Sequence, residues 1–229
     1  LKTTLLDYPG KVACTIFTSG CSYKCPFCHN RDLVYIPENY QFLDVDEIFQ
    51  FLDKRKNILD GVCISGGEPL MQEKLIPFLK EIKKRGYDIK LDVTGNYLDR
   101  LKEIVDAKLV DYIAMDVKNT KEKYALTVGS DAESFPVESM DACISYIRTC
   151  GISYEFRTTI VRELHTKEDL VAMAKWLKGV NAWYLQQFQD SPNCIQEGFH
   201  SYNKQEMLEI LEAVKQYVPN AEVRGVKED

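Results

Sequence analysis

Short apolar runs alternate with amphipathic stretches along most of the chain. The apolar runs are rich in β-branched and aromatic residues, and they predict six strands at residues 12–18, 62–65, 89–93, 112–116, 154–160 and 183–187. Between them, apolar residues recur at helical spacing, which predicts six helices at residues 44–55, 74–84, 97–106, 137–148, 167–177 and 204–217. Gly86, Gly151 and Gly179 follow three of these helices, at the position where a C-cap glycine is favoured.

The repeated order of strand then helix is typical of β-α units around a parallel sheet. Six units are too few to close an eight-stranded barrel, so we expect an α/β fold whose sheet curves into a partial (β/α)6 TIM-like barrel. No linker or low-complexity tract interrupts the pattern, and we expect a single domain over residues 1–229. In such barrels the functional residues lie at the C-terminal ends of the strands.

Composition and charge exclude several classes of partner. The formal net charge is -6 and no cluster of Lys and Arg stands out, so we expect no nucleic-acid partner. No apolar run approaches the ~18 residues of a membrane span, and the N-terminus lacks a signal-peptide pattern. We therefore expect a cytoplasmic protein with no membrane partner.

Three of the eight cysteines lie within eight residues, directly after the first predicted strand. A chain of this size can build its own core without a disulfide framework, which favours reduced, metal-binding thiols. Thiolates are the usual ligands of iron-sulfur clusters, and three ligands leave one of four irons open for a substrate. We therefore predict that Cys21, Cys25 and Cys28 hold a 4Fe-4S cluster.

Three other interpretations of the cysteines remain open. Cys25 and Cys28 alone have the spacing of a thioredoxin-type redox pair. Cys21, Cys25, Cys28 and His29 could bind zinc. A purely electron-carrying cluster would require a fourth nearby cysteine, whereas the next one along the chain is Cys63. The position at a strand end favours catalysis over all three.

Further polar residues follow the later strands. Ser65-Gly66-Gly67-Glu68-Pro69 after the second strand is typical of a tight strand-to-helix turn, which explains the glycines but not Glu68. Asp92 and Thr94 end the third strand. Asp116 and Lys118 lie on one face at the end of the fourth, and Arg157 on the fifth requires an anionic or carbonyl partner.

The C-x3-C-x2-C spacing, with Phe27 before the last cysteine, resembles the radical S-adenosylmethionine (SAM) superfamily, as does the Gly-Gly-Glu turn. The resemblance implies a barrel of the radical SAM type that binds SAM at the open iron. It places Phe27 near the adenine ring and Glu68 at the amino group of the methionine part. The other cofactor-binding candidates are Ser65, Gly66, Gly67, Asp92, Thr94, Asp116, Lys118 and Gln189.

Two further segments, Asp7-Tyr-Pro-Gly10 and Cys28-His-Asn-Arg-Asp32, resemble the glycyl radical enzyme activating enzymes. Asp92, Asp116-Val-Lys118 and Arg157 also fall where those activators carry Asp, Asp-x-Lys and Arg. The Asp-Tyr-Pro-Gly form looks most like the anaerobic ribonucleoside-triphosphate reductase activating proteins. The chain departs from the family in two places. Residues 29–62 contain no cysteine and so exclude an inserted ferredoxin module, and Gln189 stands where some activators carry a His.

The resemblance implies a mechanism. Reduced flavodoxin or ferredoxin supplies an electron, SAM is cleaved to methionine and a 5'-deoxyadenosyl radical, and this radical takes a hydrogen atom from a glycine of a partner glycyl radical enzyme. Arg157 joins the three cysteines as a catalytic candidate, and Asp7, His29 and Arg157 are the candidates for contacting the partner. A monovalent cation between Asp92, Asp116 and the SAM carboxylate is implied by the resemblance alone. A radical SAM enzyme with a small-molecule substrate and a metal-stabilised binding module remain the alternatives.

Overall fold

The computed structural model describes residues 2–130 and 135–226. Its eight strands form one sheet in chain order, with bounds β1 Lys2–Thr4, β2 Ala13–Thr18, β3 Gly61–Gly66, β4 Asp88–Val93, β5 Tyr112–Asp116, β6 Ser153–Ile160, β7 Trp183–Gln187 and β8 Ala221–Arg224. The helices are α1 Arg31–Val34, α2 Val45–Asp53, α3 Leu75–Lys84, α4 Leu98–Asp106, α5 Tyr124–Thr127, α6 Val137–Thr149, α7 Lys167–Trp176 and α8 Lys204–Lys215. A 3-10 turn spans Pro69–Met71.

The predicted strands and helices are confirmed, with ends displaced by no more than two residues. The six strands are β2 to β7, and the six helices are α2, α3, α4, α6, α7 and α8. Helical spacing places Leu75, Leu79 and Ile82 on one buried face of α3, as the amphipathic pattern requires. Side-chain capping fixes the starts of α2, α7 and α8, where a capping box is present each time.

The two edge strands were not predicted, because each is too short for a periodic signal. β1 pairs antiparallel with β2, whereas β8 extends the parallel array beyond β7. Among the described residues no pairing joins β8 back to β1, so the barrel stays open between these strands. The prediction of a partial α/β barrel is confirmed, with one added strand at each edge.

The two faces of the parallel strands differ in chemistry. Leu91, Met115 and Phe156 are fully buried and belong to the apolar core. The alternate positions on the same strands carry charged side chains, among them Asp92, Asp116 and Arg157. Charge therefore lines the inside of the partial barrel.

No helix in the two described ranges combines the length and apolar character needed to cross a membrane.

Candidate active site

The three cysteines of the predicted cluster lie on the loop that follows β2, residues 19–30, called here the cysteine loop. Backbone hydrogen bonds shape it: the Cys28 amide donates to the Cys25 carbonyl at 3.0 Å, and the Tyr23 amide donates to Cys21 Sγ at 3.4 Å. The Lys24 amide donates to the carbonyl of Val128 at 2.9 Å. Main-chain contacts, rather than long side chains, therefore fix the cysteine loop.

A second segment packs against the cysteine loop from the far end of the chain. The amides of Ile195 and Gln196 donate to the carbonyls of Cys28 and Pro26 at 3.2 and 2.8 Å. The neighbouring Cys194 is buried, with its Sγ 3.8 Å from the carbonyl oxygen of Phe27. The sequence offered no signal for this contact, because Gln196 lies 170 positions after Pro26 along the chain.

All eight cysteines are free thiols, so no disulfide framework is present. Burial raises the pKa of Cys21 to about 11 and that of Cys25 to about 12, and the nearby Cys28 adds to both shifts. These thiols bind a metal only by giving up their protons. Three soft donors on one short loop match the ligand chemistry of an iron-sulfur cluster.

The geometry argues against the zinc interpretation. The His29 ring stacks on Phe188 with centroids 5.3 Å apart, and its Nε2 hydrogen-bonds to the carbonyl oxygen of Gln189. Across residues 2–130 and 135–226, no group of three or more His, Cys, Asp or Glu side chains is arranged to hold a single metal ion. In a 4Fe-4S cluster each thiolate binds its own iron, so the three sulfurs need not meet at one point.

The Gly-Gly-Glu turn packs directly on the start of the cysteine loop. The Gly67 amide donates to the carbonyl of Thr18 at 2.9 Å, and the Glu68 amide donates to that of Gly20 at 2.8 Å. A Cβ atom at Gly67 would lie 2.0 Å from the Gly20 carbonyl oxygen, closer than any side chain tolerates. The glycine is therefore required by the contact between the two motifs.

Glu68 is completely buried at the base of this turn. Its carboxylate accepts hydrogen bonds from the Leu70 amide at 2.9 Å, the Thr94 amide at 2.7 Å and the Thr94 hydroxyl. No ion pair joins it to a described cationic side chain, and burial raises its pKa. A buried carboxylate of this kind is stabilised by an incoming positive group, such as an ammonium.

A chain of five charged side chains crosses the barrel interior, in the order Lys90, Asp92, Arg157, Asp116 and Lys118; we call it the interior charge chain. Lys90 Nζ pairs with Asp92. Arg157 bridges the two carboxylates, with Nη1 3.1 Å from Asp92 Oδ2 and Nε 3.0 Å from Asp116 Oδ1. Lys118 Nζ lies 3.0 Å from Asp116 Oδ2. The sequence suggested four of these residues; Lys90, two positions before Asp92 on the same face of β4, could have been found from the same period of two.

Electrostatics favour the charged forms of Asp92, Asp116, Arg157 and Lys118. Burial opposes ionisation of Asp92 and Asp116, but Arg157 and the adjacent lysines outweigh it and lower the pKa of both carboxyls. Burial likewise opposes the charge on Arg157 and Lys118, and the carboxylates overcome it and raise the pKa of both groups. The site therefore holds fixed charges rather than groups poised to exchange protons near neutral pH.

A cavity of about 480 Å³ opens beside this chain, where the barrel is not closed. Asp7 and Arg157 both line it, so the structure brings these two predicted partner contacts together. The exposed Leu5 and Leu6 lie at its rim. His29 does not line this cavity; it lines a separate, smaller pocket together with Asn30 and Tyr40.

Phe27, expected near the adenine ring, and Gln189, another cofactor-binding candidate, differ in their surroundings. Phe27 is buried in the cysteine loop, and its ring meets Phe188 edge-on with centroids 6.5 Å apart. The Gln189 side chain instead donates to Gln187 Oε1 and to the Gly225 carbonyl, both at 3.0 Å. Phe27 therefore lies on the same loop as the three thiols, whereas the Gln189 side chain is hydrogen-bonded to the residue that follows β8.

Comparison with known proteins gives the same picture at the level of family. The profile described as the radical SAM superfamily matches residues 15–177, which include the cysteine loop, the Gly-Gly-Glu turn and the interior charge chain. A protein of Methanocaldococcus jannaschii, provisionally named a glycyl-radical enzyme activating enzyme, is 31% identical over 96% of this chain and 92% of its own. The pyruvate formate-lyase-activating enzyme of Clostridium pasteurianum is 29% identical over 77% of this chain and 73% of its own.

Among solved structures, SuiB of Streptococcus suis bound to S-adenosylmethionine superimposes with a TM-score of 0.73. The match covers 93% of this chain and 50% of SuiB, so this chain spans about half of that protein. At 13% sequence identity, the likeness concerns the fold alone.

Proposed function

The chain belongs to the radical SAM superfamily, and we propose that it is an activating enzyme that installs a glycyl radical on a partner enzyme. Membership implies a 4Fe-4S cluster and SAM. The proposal is supported by the similarity to activating enzymes along most of the chain. It is also supported by the Asp7-Tyr-Pro-Gly10 segment, which brings Asp7 to the cavity shared with Arg157.

The observation that carries the proposal is the packing of the Gly-Gly-Glu turn on the cysteine loop. This contact joins the start of the loop that carries the three thiols to the turn that carries a buried carboxylate without a described cationic partner. We propose that Cys21, Cys25 and Cys28 hold the cluster and that Glu68 receives the amino group of SAM. In this proposal Thr94 positions the Glu68 carboxylate by hydrogen bonds, and the backbone of the preceding turn, Ser65, Gly66 and Gly67, positions its main chain.

The interior charge chain supplies the other end of the SAM site in this proposal. Lys118 and Arg157 are the cations available to the methionine carboxylate, and Asp92 and Asp116 hold them in position. Phe27, buried beside the thiols, is the candidate wall for adenine, while Gln189 is a weaker candidate because its side chain is engaged elsewhere. Together these residues fix SAM relative to the cysteine loop.

When bound, the cluster and SAM would supply the radical chemistry that removes a hydrogen atom from the α-carbon of a glycine. The chain's own residues hold these groups in place and exclude water around them. We propose that the glycine enters through the opening between β1 and β8, where Asp7 and Arg157 line the cavity. His29, on the cysteine-loop side, would contact a different part of the partner.

We propose anaerobic ribonucleotide reductase as the partner, on the Asp-Tyr-Pro-Gly form of the N-terminal segment. For the electron donor we propose reduced flavodoxin or ferredoxin. Lys24 on the cysteine loop and Arg31 at the start of α1 are both exposed, and their positive charges suit an acidic donor.

The monovalent cation implied by the resemblance is left out of the proposal. Both oxygens of Asp92 and both oxygens of Asp116 already accept hydrogen bonds from Lys90, Arg157 or Lys118. The residues present therefore do not fit a cation at this position.

The test is anaerobic. The protein is reconstituted with iron and sulfide, reduced with dithionite and given SAM, and 5'-deoxyadenosine is quantified. We expect product from the wild type and none from Cys25→Ala, while Cys150→Ala, which removes a thiol remote from the loop, behaves as the wild type does. A cluster-loaded wild type that makes no product would overturn the proposal.

The partner is tested next by electron paramagnetic resonance. Incubation with anaerobic ribonucleotide reductase should give a glycyl radical signal that is absent when the partner's glycine is replaced by alanine. Pyruvate formate-lyase serves as the competing partner. A signal with that enzyme alone would overturn the choice of partner but keep the class of reaction, and a tightly retained small substrate would favour the alternative of a small-molecule radical SAM enzyme.

A further inference from the structure

Lys90 is a buried cation to which the proposed mechanism gives no role. It lies on β4, and its side chain is only 2% exposed. The ammonium pairs with Asp92 Oδ1 and lies 3.8 Å from the buried thiol of Cys63. A lysine at this depth is rarely tolerated without a carboxylate partner, because the desolvation of its charge costs free energy.

Lys90 is the third group that donates a hydrogen bond to the Asp92 carboxylate, beside Arg157 and Ser65. Asp92 Oδ2 accepts from Arg157 Nη1 at 3.1 Å and from Ser65 Oγ at 2.9 Å, which leaves Oδ1 for Lys90. Without Lys90, Oδ1 would be a buried carboxylate oxygen without a described donor. Such an oxygen is a good ligand for a small inorganic cation.

The charges of the interior charge chain add to a simple total. Lys90, Arg157 and Lys118 are positive and Asp92 and Asp116 are negative, so the chain carries a net charge of +1. One bound carboxylate, such as that of a methionine group, brings this total to zero. An added inorganic cation would leave an uncompensated charge in a poorly solvated site.

We infer that Lys90 is a built-in counter-ion that occupies the position of a monovalent cation at Asp92 and makes SAM binding independent of potassium and sodium. Lys90 acts as a positioning residue, because it orients Asp92, which in turn holds Arg157. This inference rests on the proposed function, in which the methionine carboxylate of SAM binds at this end of the site.

The first test measures SAM affinity in the cluster-loaded protein by calorimetry, in potassium chloride and in tetramethylammonium chloride at equal ionic strength. The wild type should give the same Kd in both salts. Lys90→Met should bind SAM about tenfold more weakly in tetramethylammonium, with potassium restoring most of the loss, an effect of the size usual for two linked ligands. Lys83→Met is the matched control, since it removes a lysine from an ion pair with Asp111 on the outside of the sheet.

The second test needs neither cluster nor SAM and so separates the two proposals. Potassium should raise the Tm of Lys90→Met above its value in tetramethylammonium, because an ion that binds only the folded state stabilises it. The wild type and Lys83→Met should show no such difference. If Lys90→Met does not fold, Lys90→Gln replaces it. The wild-type measurements test the proposal even if neither variant folds.

Each outcome decides something different. A wild type whose SAM affinity or Tm depends specifically on potassium overturns the role given to Lys90. So does a folded Lys90→Met that responds to no cation and binds SAM with unchanged affinity. A wild type that binds no SAM in any salt overturns the proposed function instead, while the Tm comparison still tests the substitution of Lys90 for a cation.

Discussion

The cysteine loop and the interior charge chain are held in place by different means. Backbone hydrogen bonds and close backbone contacts hold the cysteine loop against its neighbours. Ion pairs between buried side chains fix the interior charge chain, so the charge of each member matters. The first region should therefore be sensitive to an added atom, and the second to a removed charge.

The largest effect is expected from the addition of a single methyl group to the cysteine-loop side. Gly67→Ala would place Cβ 2.0 Å from the Gly20 carbonyl oxygen; the backbone fixes the position of Cβ, and the oxygen belongs to main chain that cannot rotate away. We expect a loss of about 3 kcal/mol in the free energy of unfolding and failure to assemble the cluster. Iron content after reconstitution and denaturant unfolding measure the two effects.

Gly86→Ala is the matched control for this substitution. Gly86 has a positive φ of 86°, yet a Cβ atom there meets nothing within 4 Å. The backbone strain alone should cost about 1–2 kcal/mol and leave iron content unchanged. Equal iron binding by both variants would show that the contact between the two motifs does not position the thiols.

The next largest effect is expected from the removal of a charge in the interior charge chain. Arg157→Ala leaves Asp92 and Asp116 facing each other across the gap, each with one lysine. We expect a loss of about 3 kcal/mol in the free energy of unfolding, because breaking a buried ion pair leaves charge uncompensated. Iron content should be retained, since no hydrogen bond of Arg157 reaches the described part of the cysteine loop.

Arg162→Ala is the control for this variant. Arg162 pairs with Glu206 on the surface, where both side chains are at least a third exposed, and such pairs contribute less than about 1 kcal/mol. If both arginine variants unfold at the same denaturant concentration, the Arg157 contacts do not stabilise the protein in solution.

A smaller effect is expected from acid. Asp92 and Asp116 have lowered pKa values in the folded state, so they contribute stability that is present above the unfolded pKa of about 3.9 and is lost as the pH falls through the folded values. Below pH 4 the free energy of unfolding should fall by about 1.4 kcal/mol per pH unit for each excess proton bound on unfolding.

The same titration of Arg157→Ala sharpens the comparison of the two regions. Because the guanidinium is the main attraction that lowers both pKa values, the variant should lose stability less steeply with acid than the wild type. The measurement is urea unfolding at pH values from 5 to 2.5. Parallel pH profiles would indicate that other groups dominate the acid response.

The two regions also differ in how well the sequence anticipated them. The cysteines and the Gly-Gly-Glu turn are local motifs, and the β-α periodicity placed both at strand ends, so their meeting in space followed from the fold. The order of the interior charge chain did not follow, since Lys90 has no motif and its pairing with Asp92 depends on the inward face of β4.

Contacts between distant segments were the least predictable part. The amides of Ile195 and Gln196 reach the cysteine loop from a stretch without regular structure, which no periodicity marks. The edge strands β1 and β8 are three and four residues long, and their pairing depends on the rest of the sheet already being present. Gln189 is a related case: the sequence suggested it as a cofactor contact, but nothing in the sequence indicated that its side chain bonds to the Gly225 carbonyl.

The smallest effect is expected from one hydroxyl group that joins the cysteine loop to the turn after β4. Tyr23 is buried in the cysteine loop, and its hydroxyl donates to Asn96 Oδ1 in the turn after β4. Tyr23→Phe keeps the ring packing and removes the hydroxyl, with its bond to Asn96 Oδ1 and its contact with Met140 Sδ at 3.6 Å; this should lower the free energy of unfolding by about 1 kcal/mol and leave the iron content unchanged. Tyr35→Phe, at a ring that is 48% exposed, should change neither quantity. A variant of Tyr23 as stable as that control would mean that the backbone contacts alone hold the cysteine loop against β4.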